Sequence, residues 1–305
     1  MSAHDPNESW SIRLGWKPSD FGAADFDDTL VAAVKEYQRA WPGLNVDGIA
    51  GPATWRRMQL ARTAPSLVST PPDAGDCILV DGHLKSIPWP KVITPGEQGH
   101  LGLPKICYRP CPRRRAVDLV VTHWDVAYDA RGCHRTLTRA EYSTHFCIDW
   151  DGTIYQMVDV ANEAWHVRTS GINARSIGVD LNNPVYLTAQ ERVVAAGQPA
   201  RPVMNGYRIN SRATAPFLGF HDVQIDAYCA LLAGLAMHIP TLRLERVGTE
   251  ASTGKHVCLA PDPDAVRGVC HHAEVQGNKW DCLGAPLDLV CARAIGLLGL
   301  PNQVP

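Results

Sequence analysis

The chain has 305 residues, 45% of them hydrophobic, with Lys plus Arg 29 against Asp plus Glu 31 and a net charge of −2. That length holds one large domain or two smaller ones, and the apolar fraction is enough for a true core. The near-balance of charge speaks against a nucleic-acid binder held by a broad basic surface, and no apolar run approaches the roughly 18 residues of a membrane span.

The opening segment MSAHDPNESWSIRLGW has no basic stretch followed by an apolar one. A protein made in the cytoplasm without a secretory signal is therefore expected. Residues 9–60 form a small unit. Leu30, Val34, Tyr37 and Trp41 recur at helical spacing, a turn follows around Gly43, Asp47, Gly48 and Gly51, and Pro52 suits the first turn of a second helix that carries Trp55 and Met58. A core this small relies on shared tryptophans. Residues 61–112 are rich in proline and begin as a linker, but Cys77–Val80 and Trp89–Ile93 carry apolar groups expected to lie on the next domain.

From Ala116 the signals alternate. Val117–Thr122 is a β-branched strand ending at His123, and a helix is expected over Ala130–Ala140. Thr144–Asp149 and Thr153–Met157 are strands joined by Trp150-Asp-Gly152, and Ser176–Leu181 is another. Ile225, Tyr228, Leu232, Leu235 and Ile239 mark an amphipathic helix stopped by Pro240, and a last helix spans Pro286–Leu298. Residues 183–216 and 242–265 lack a clear period and are expected to be insertions. The alternation indicates an α/β domain around one sheet. Three segments result: a module at 1–62, a linker and covering segment at 63–115, and an α/β domain at 116–305.

A catalytic zinc needs three protein ligands and an open position. His123 stands at a strand end, and Cys270–Cys282 contains His271, His272, Lys279, Asp281 and Cys282. A lysine beside a metal can stabilise a developing oxyanion. The ten cysteines are too sparse for a disulfide scaffold. Cys107, Cys111 and Cys133 fit no zinc spacing, so buried thiols are expected.

Two resemblances follow. Val34–Trp55, with its Tyr-Gln helix and Gly-Leu-Asn-Val-Asp-Gly-Ile-Ala-Gly-Pro-Ala-Thr-Trp string, resembles the peptidoglycan-binding type 1 module. Residues 117–290 resemble the zinc-dependent N-acetylmuramoyl-L-alanine amidases of type 2, related to peptidoglycan recognition proteins. The similarity is carried by the strand ending at His123, the Thr144–Gln156 hairpin, Ala164-Trp-His166, Asn173–Leu181 and His271–Asp281.

The resemblance implies a mixed sheet flanked by helices, zinc on His123, His271 and Asp281, an oxyanion donor in Lys279 and a general base in Asp180. It also implies substrate orientation by His145 and His166. Asp180 stands where the family often has Glu, and Asp281-Cys282 where it often has Asp-Pro. Cys282 competes for the third ligand position, because His272 to Cys282 has the spacing of His271 to Asp281; Lys279, two residues before Asp281, favours the latter pair. The implied activity is cleavage of the amide between N-acetylmuramic acid and L-alanine at the cell wall or periplasm after release, by a phage-type endolysin or a wall-remodelling enzyme. The alternatives are a non-catalytic peptidoglycan recognition protein, and a different zinc hydrolase joined to the same module.

Overall fold

The computed structural model describes residues 4–39, 45–51, 54–55, 58, 77–111, 115–246 and 255–298, and the chain divides into two compact units, Met1–Leu67 and Val68–Pro305. Trp41, Gly43, Pro52 and the linker expected from residue 61 to 76 lie outside the described residues.

The first unit contains helices His4–Leu14 and Asp28–Arg39. Trp16, Leu30, Val34, Trp55 and Met58 are buried together, with Trp10, Phe21, Phe26 and Tyr37 packed against them. Gln38 organises the Asp-Gly-Ile turn. Its amide donates to Asp47 Oδ1 at 2.9 Å, to the Ile49 carbonyl at 3.1 Å and to Thr54 Oγ1 at 3.1 Å, and its oxygen accepts the Gly48 N–H at 2.9 Å. Gly48 has φ 77° and a side chain there would begin 2.7 Å from Val31 Cγ1, so both conformation and space require glycine.

The second unit is built on a six-stranded sheet in the order Gly268–His271, Leu119–Trp124, Ser176–Leu181, Phe146–Ile148, Ile154–Gln156, Val92–Ile93. All neighbours are parallel except the hairpin pair Phe146–Ile148 and Ile154–Gln156, so the sheet is mixed. Alternate side chains of these strands divide between two faces. On one face Val120, Ile177, Val179, Phe146 and Ile148 meet helix Asp222–His238, and the Thr122 hydroxyl is 2.6 Å from Tyr228 Oη. The other face carries Leu119, Val121, His123, Gly178, Asp180 and Cys147. Helix Ala130–Ala140 lies on this second side, with Ala130 and Cys133 packed around Cys147.

Two expectations change. The segment before residue 116 is more than a cover: Val92–Ile93 is an edge strand of the sheet, Trp89 Nε1 donates to the Gly152 carbonyl at 2.7 Å, and Gln156 makes two bonds with the Leu79 backbone at 2.6 and 2.8 Å. As a result helix Asp222–His238 is buried on nearly all sides rather than amphipathic. A side chain at Gly234 would begin 2.2 Å from Ile87 Cγ2, so the covering segment sits directly on the helix backbone. The two insertions are tied to one another, since Arg208–Ile209 pairs with His256–Val257. Among the described residues no helix is long and apolar enough to cross a membrane.

Candidate metal centre

The rows of the parallel sheet decide which histidines meet. His123, Asp180 and Cys147 are register partners on three adjacent strands, at the carboxyl ends of Leu119–Trp124 and Ser176–Leu181. They belong to the face away from helix Asp222–His238. One residue earlier in the row lie Thr122 and His271, which are paired and face the helix side. His271 is therefore turned from His123. Its Nδ1–H donates to the Cys282 carbonyl at 3.0 Å, and its own N–H is capped by Glu274 Oε2 at 2.8 Å, with Glu274 held by Arg246. The following residue, His272, falls on the side of His123.

The structure thus brings together His123, His272 and Asp281. His272 Nδ1 lies 2.8 Å from Asp281 Oδ2, His123 Nδ1 lies 3.2 Å from the same oxygen, and the two Nδ1 atoms are 3.0 Å apart. Of the expected ligands His123 and Asp281 are in the cluster. His271 is not, and its place is taken by His272, because strand pleating and not spacing sets the face. Cys282 gives its carbonyl to His271 and is buried in the hydrophobic core.

The donor set fits a zinc ion. Neutral imidazoles bind through one ring nitrogen while the other donates to a fixed acceptor. Here His272 Nε2–H reaches Gln276 Oε1 at 3.1 Å. His123 Nε2–H reaches His166 Nδ1 at 3.0 Å, and His166 Nε2–H reaches Ser176 Oγ at 3.0 Å. Both Nδ1 lone pairs are then left facing each other and a carboxylate, an arrangement that repels unless a cation lies between them. A tetrahedral zinc with ligands at about 2.0–2.1 Å has edges of about 3.3 Å, near the three separations above. Burial, and then the adjacent His272, hold His123 down to about 4, so it is neutral at physiological pH. Burial alone would raise Asp281, but its contacts with His123 and His272 hold it well below the usual carboxylate range.

The cluster opens on a cavity of about 1100 Å³ lined by Asp180, His166, Lys279, Trp165 and Tyr142 among others. Asp180 is raised well above the usual carboxylate range by burial and by Asp125. Trp280 packs edge-on against Trp124 with ring centroids 4.8 Å apart, which fixes the turn that carries Lys279 and Asp281. His166 lies in the cavity wall, where its nearest duty is to hold His123. His145 is not in the cavity wall. Its Nδ1 accepts the Gly178 N–H at 3.0 Å, its Nε2–H donates to the Asn162 carbonyl at 3.1 Å, and burial beside Arg115 brings it down to about 3. The expected substrate contact by His145 is replaced by a strand-to-loop tie. Trp124, Trp280 and Gln276 were not singled out from sequence. The one available signal was Trp280's place between Lys279 and Asp281.

Residues 113–282 match the family described as N-acetylmuramoyl-L-alanine amidase, and residues 12–58 match the peptidoglycan binding domain. Among curated proteins none matches the chain. Among solved structures it is similar to AmpDh3 from Pseudomonas aeruginosa in complex with anhydromuramic pentapeptide, at 17% identity over 56% of this chain and 56% of that one, TM-score 0.35. It is also similar to the N-acetylmuramyl-L-alanine amidase AmiD from E. coli in complex with anhydro-N-acetylmuramic acid-L-Ala-D-gamma-Glu-L-Lys, at 17% identity over 56% and 54%, TM-score 0.34. A third is the hydrolase AmiA from Staphylococcus aureus, at 11% identity over 68% and 84%, TM-score 0.35. The chain spans little more than half the length of the first two.

Proposed function

The chain belongs to the N-acetylmuramoyl-L-alanine amidase family, and from that premise we propose that it hydrolyses the amide bond between N-acetylmuramic acid and L-alanine in peptidoglycan, with zinc as its cofactor. The observation that carries this reading is the convergence of His123, His272 and Asp281 donor atoms at the wall of a wide cavity. A zinc ion held by these three residues would supply an activated water and polarise the scissile carbonyl. The Lys279 side chain, on the same cavity wall, would hold the negative charge that develops on the carbonyl oxygen. Asp180, beside His123 in the sheet, would accept the proton of the attacking water and pass it to the departing L-alanine nitrogen. His166 and Gln276 keep both histidine rings in the tautomer that leaves Nδ1 free.

The first unit, matching a peptidoglycan binding domain, would hold the enzyme to the insoluble wall and raise its local concentration there. This suits an enzyme that acts at the wall after leaving the cytoplasm, such as a phage-type endolysin or a wall-remodelling amidase. Purified peptidoglycan digested by the chain should release new L-alanine amino termini without new reducing sugar ends, and chelation should stop the reaction until zinc is returned. Reducing ends as the main product, or a rate indifferent to chelation, would refute the proposal.

A further inference from the structure

A second group of ligand atoms lies on the same sheet face and takes no part in the chemistry above: Asp125, Cys133 and Cys147, whose ligand atoms all lie within 4.8 Å of one another. We propose that these three residues form a second, soft-metal site that binds zinc- or cadmium-like ions through two thiolates and a carboxylate.

The dimensions suit such an ion. With metal–sulfur bonds of about 2.3 Å and metal–oxygen bonds of about 2.0 Å, a tetrahedral site has S···S edges of about 3.8 Å and S···O edges of about 3.5 Å. Cys147 Sγ lies 3.8 Å from Asp125 Oδ2. The carboxylate is held by its own partners, and the two cysteines are carried by a helix and a strand. The Asp125 carboxylate accepts the Ala127 N–H at 3.0 Å and the Asn183 N–H at 3.1 Å on Oδ1, and the Asn182 amide spans both oxygens. These bonds turn Oδ2 toward the thiols, as the outer partners of metal-binding carboxylates do. Cys133 sits in the first turn of helix Ala130–Ala140, which Asp129 caps by accepting the Gly132 N–H at 2.6 Å. Cys147 lies within strand Phe146–Ile148.

Two buried thiols beside a carboxylate select soft, thiophilic ions over calcium or magnesium. On binding, each thiol loses its proton to solvent and its sulfur bonds the metal as thiolate. Asp125 and Cys133 both line the cavity, so the fourth position opens to it, the form of a site that exchanges its outer ligand. Cys147 and His123 are register partners of Asp180 from opposite sides, which sets their backbones two strand spacings, or about 10 Å, apart. The second site is therefore distinct from the His123–His272–Asp281 centre and does not depend on the proposed hydrolysis.

The test is a Cd2+ titration of the full chain, stripped of metal and kept reduced, followed by thiolate-to-metal absorption and by metal content per chain. Two equivalents are expected, one of them with the absorption of two thiolates. Cys133→Ser and Cys147→Ser should each lose that equivalent and most of the absorption, while retaining the other equivalent and the circular dichroism of the parent. His272→Ala should lose the other equivalent and keep the absorption, so that failure of either site is read separately. A single equivalent without thiolate absorption would overturn the proposal. So would absorption that survives both serine variants, since it would then belong to other cysteines.

Discussion

His271 and His272 are adjacent in sequence and opposed in space, because one ends a strand whose pleat faces a helix and the other begins the turn that enters the cavity. Substituting them should give different failures. His272→Ala should abolish high-affinity zinc binding, as two remaining ligands do not make the three that such a site needs. His271→Ala should retain zinc and lose stability, by about 0.5–1.5 kcal/mol for the hydrogen bond to the Cys282 carbonyl, which keeps the Ala285 N–H as its other donor. Zinc content after dialysis and urea unfolding distinguish them; the reverse outcome would restore His271 as the ligand. Lys279 and Asp180 should separate chemistry from metal binding. Lys279→Ala should keep zinc and lower kcat by about 10²–10³-fold if the ammonium holds the oxyanion. The pH profile tests Asp180. A base must be ionised to act, and burial raises this carboxyl, so the rate should climb with pH on a limb displaced upward from the usual carboxylate range of about 4. Asp180→Asn should keep zinc and leave a low rate from which that limb is missing. A parental rate in Asp180→Asn would show a structural carboxylate instead.

At the scale of elements, the site is a consequence of one row across a parallel sheet. Gly178 stands two residues before Asp180, on the same face, and permits the His166 ring to lie against the strand: a side chain there would begin 2.7 Å from His166 Cγ. Gly178→Ala should therefore displace His166, release the Nε2 side of His123, and weaken zinc by about 10–100-fold, the usual cost of losing an outer partner of a metal-bound histidine. Competition with a chelating dye measures this, and an unchanged affinity would remove His166 from the positioning role. The same row explains what the sequence could disclose. The strand run before His123, the Asp151-Gly152 hairpin and the helix over Ala130–Ala140 are local patterns, and they stand in the structure where hydrophobic period and turn chemistry put them. The choice between His271 and His272 required the register of Gly268–His271 on Leu119–Trp124, a long-range fact absent from any spacing. The resemblance implies substrate contact by His145, yet its ring closes bonds to Gly178 and Asn162 that only the folded chain brings near. The burial of helix Asp222–His238 on its outer side likewise depends on residues near 87, well over a hundred positions away.

At the scale of the whole molecule, the two units have separate interiors. The buried cluster of the first runs from Trp16 to Met58, whereas the three clusters of the second contain described residues from Ile78 onward. Removal of residues 1–67 should accordingly leave the second unit folded, with zinc bound and its rate on small soluble muropeptides unchanged. On intact walls the truncated chain should be slower by about tenfold or more, because a tether acts through local concentration and adds no contact to the reaction. Gln38→Ala tests the same idea without a deletion. It leaves the buried Gly48 N–H unpaired and removes the amide that ties Ile49 and Thr54 together, a loss of about 1–3 kcal/mol that a unit of this size bears poorly. The full-length variant should then pellet less with insoluble peptidoglycan while hydrolysing soluble fragments at the parental rate. Equal loss on soluble and insoluble substrates, with zinc retained, would mean that the first unit takes part in the catalytic fold and is not a tether.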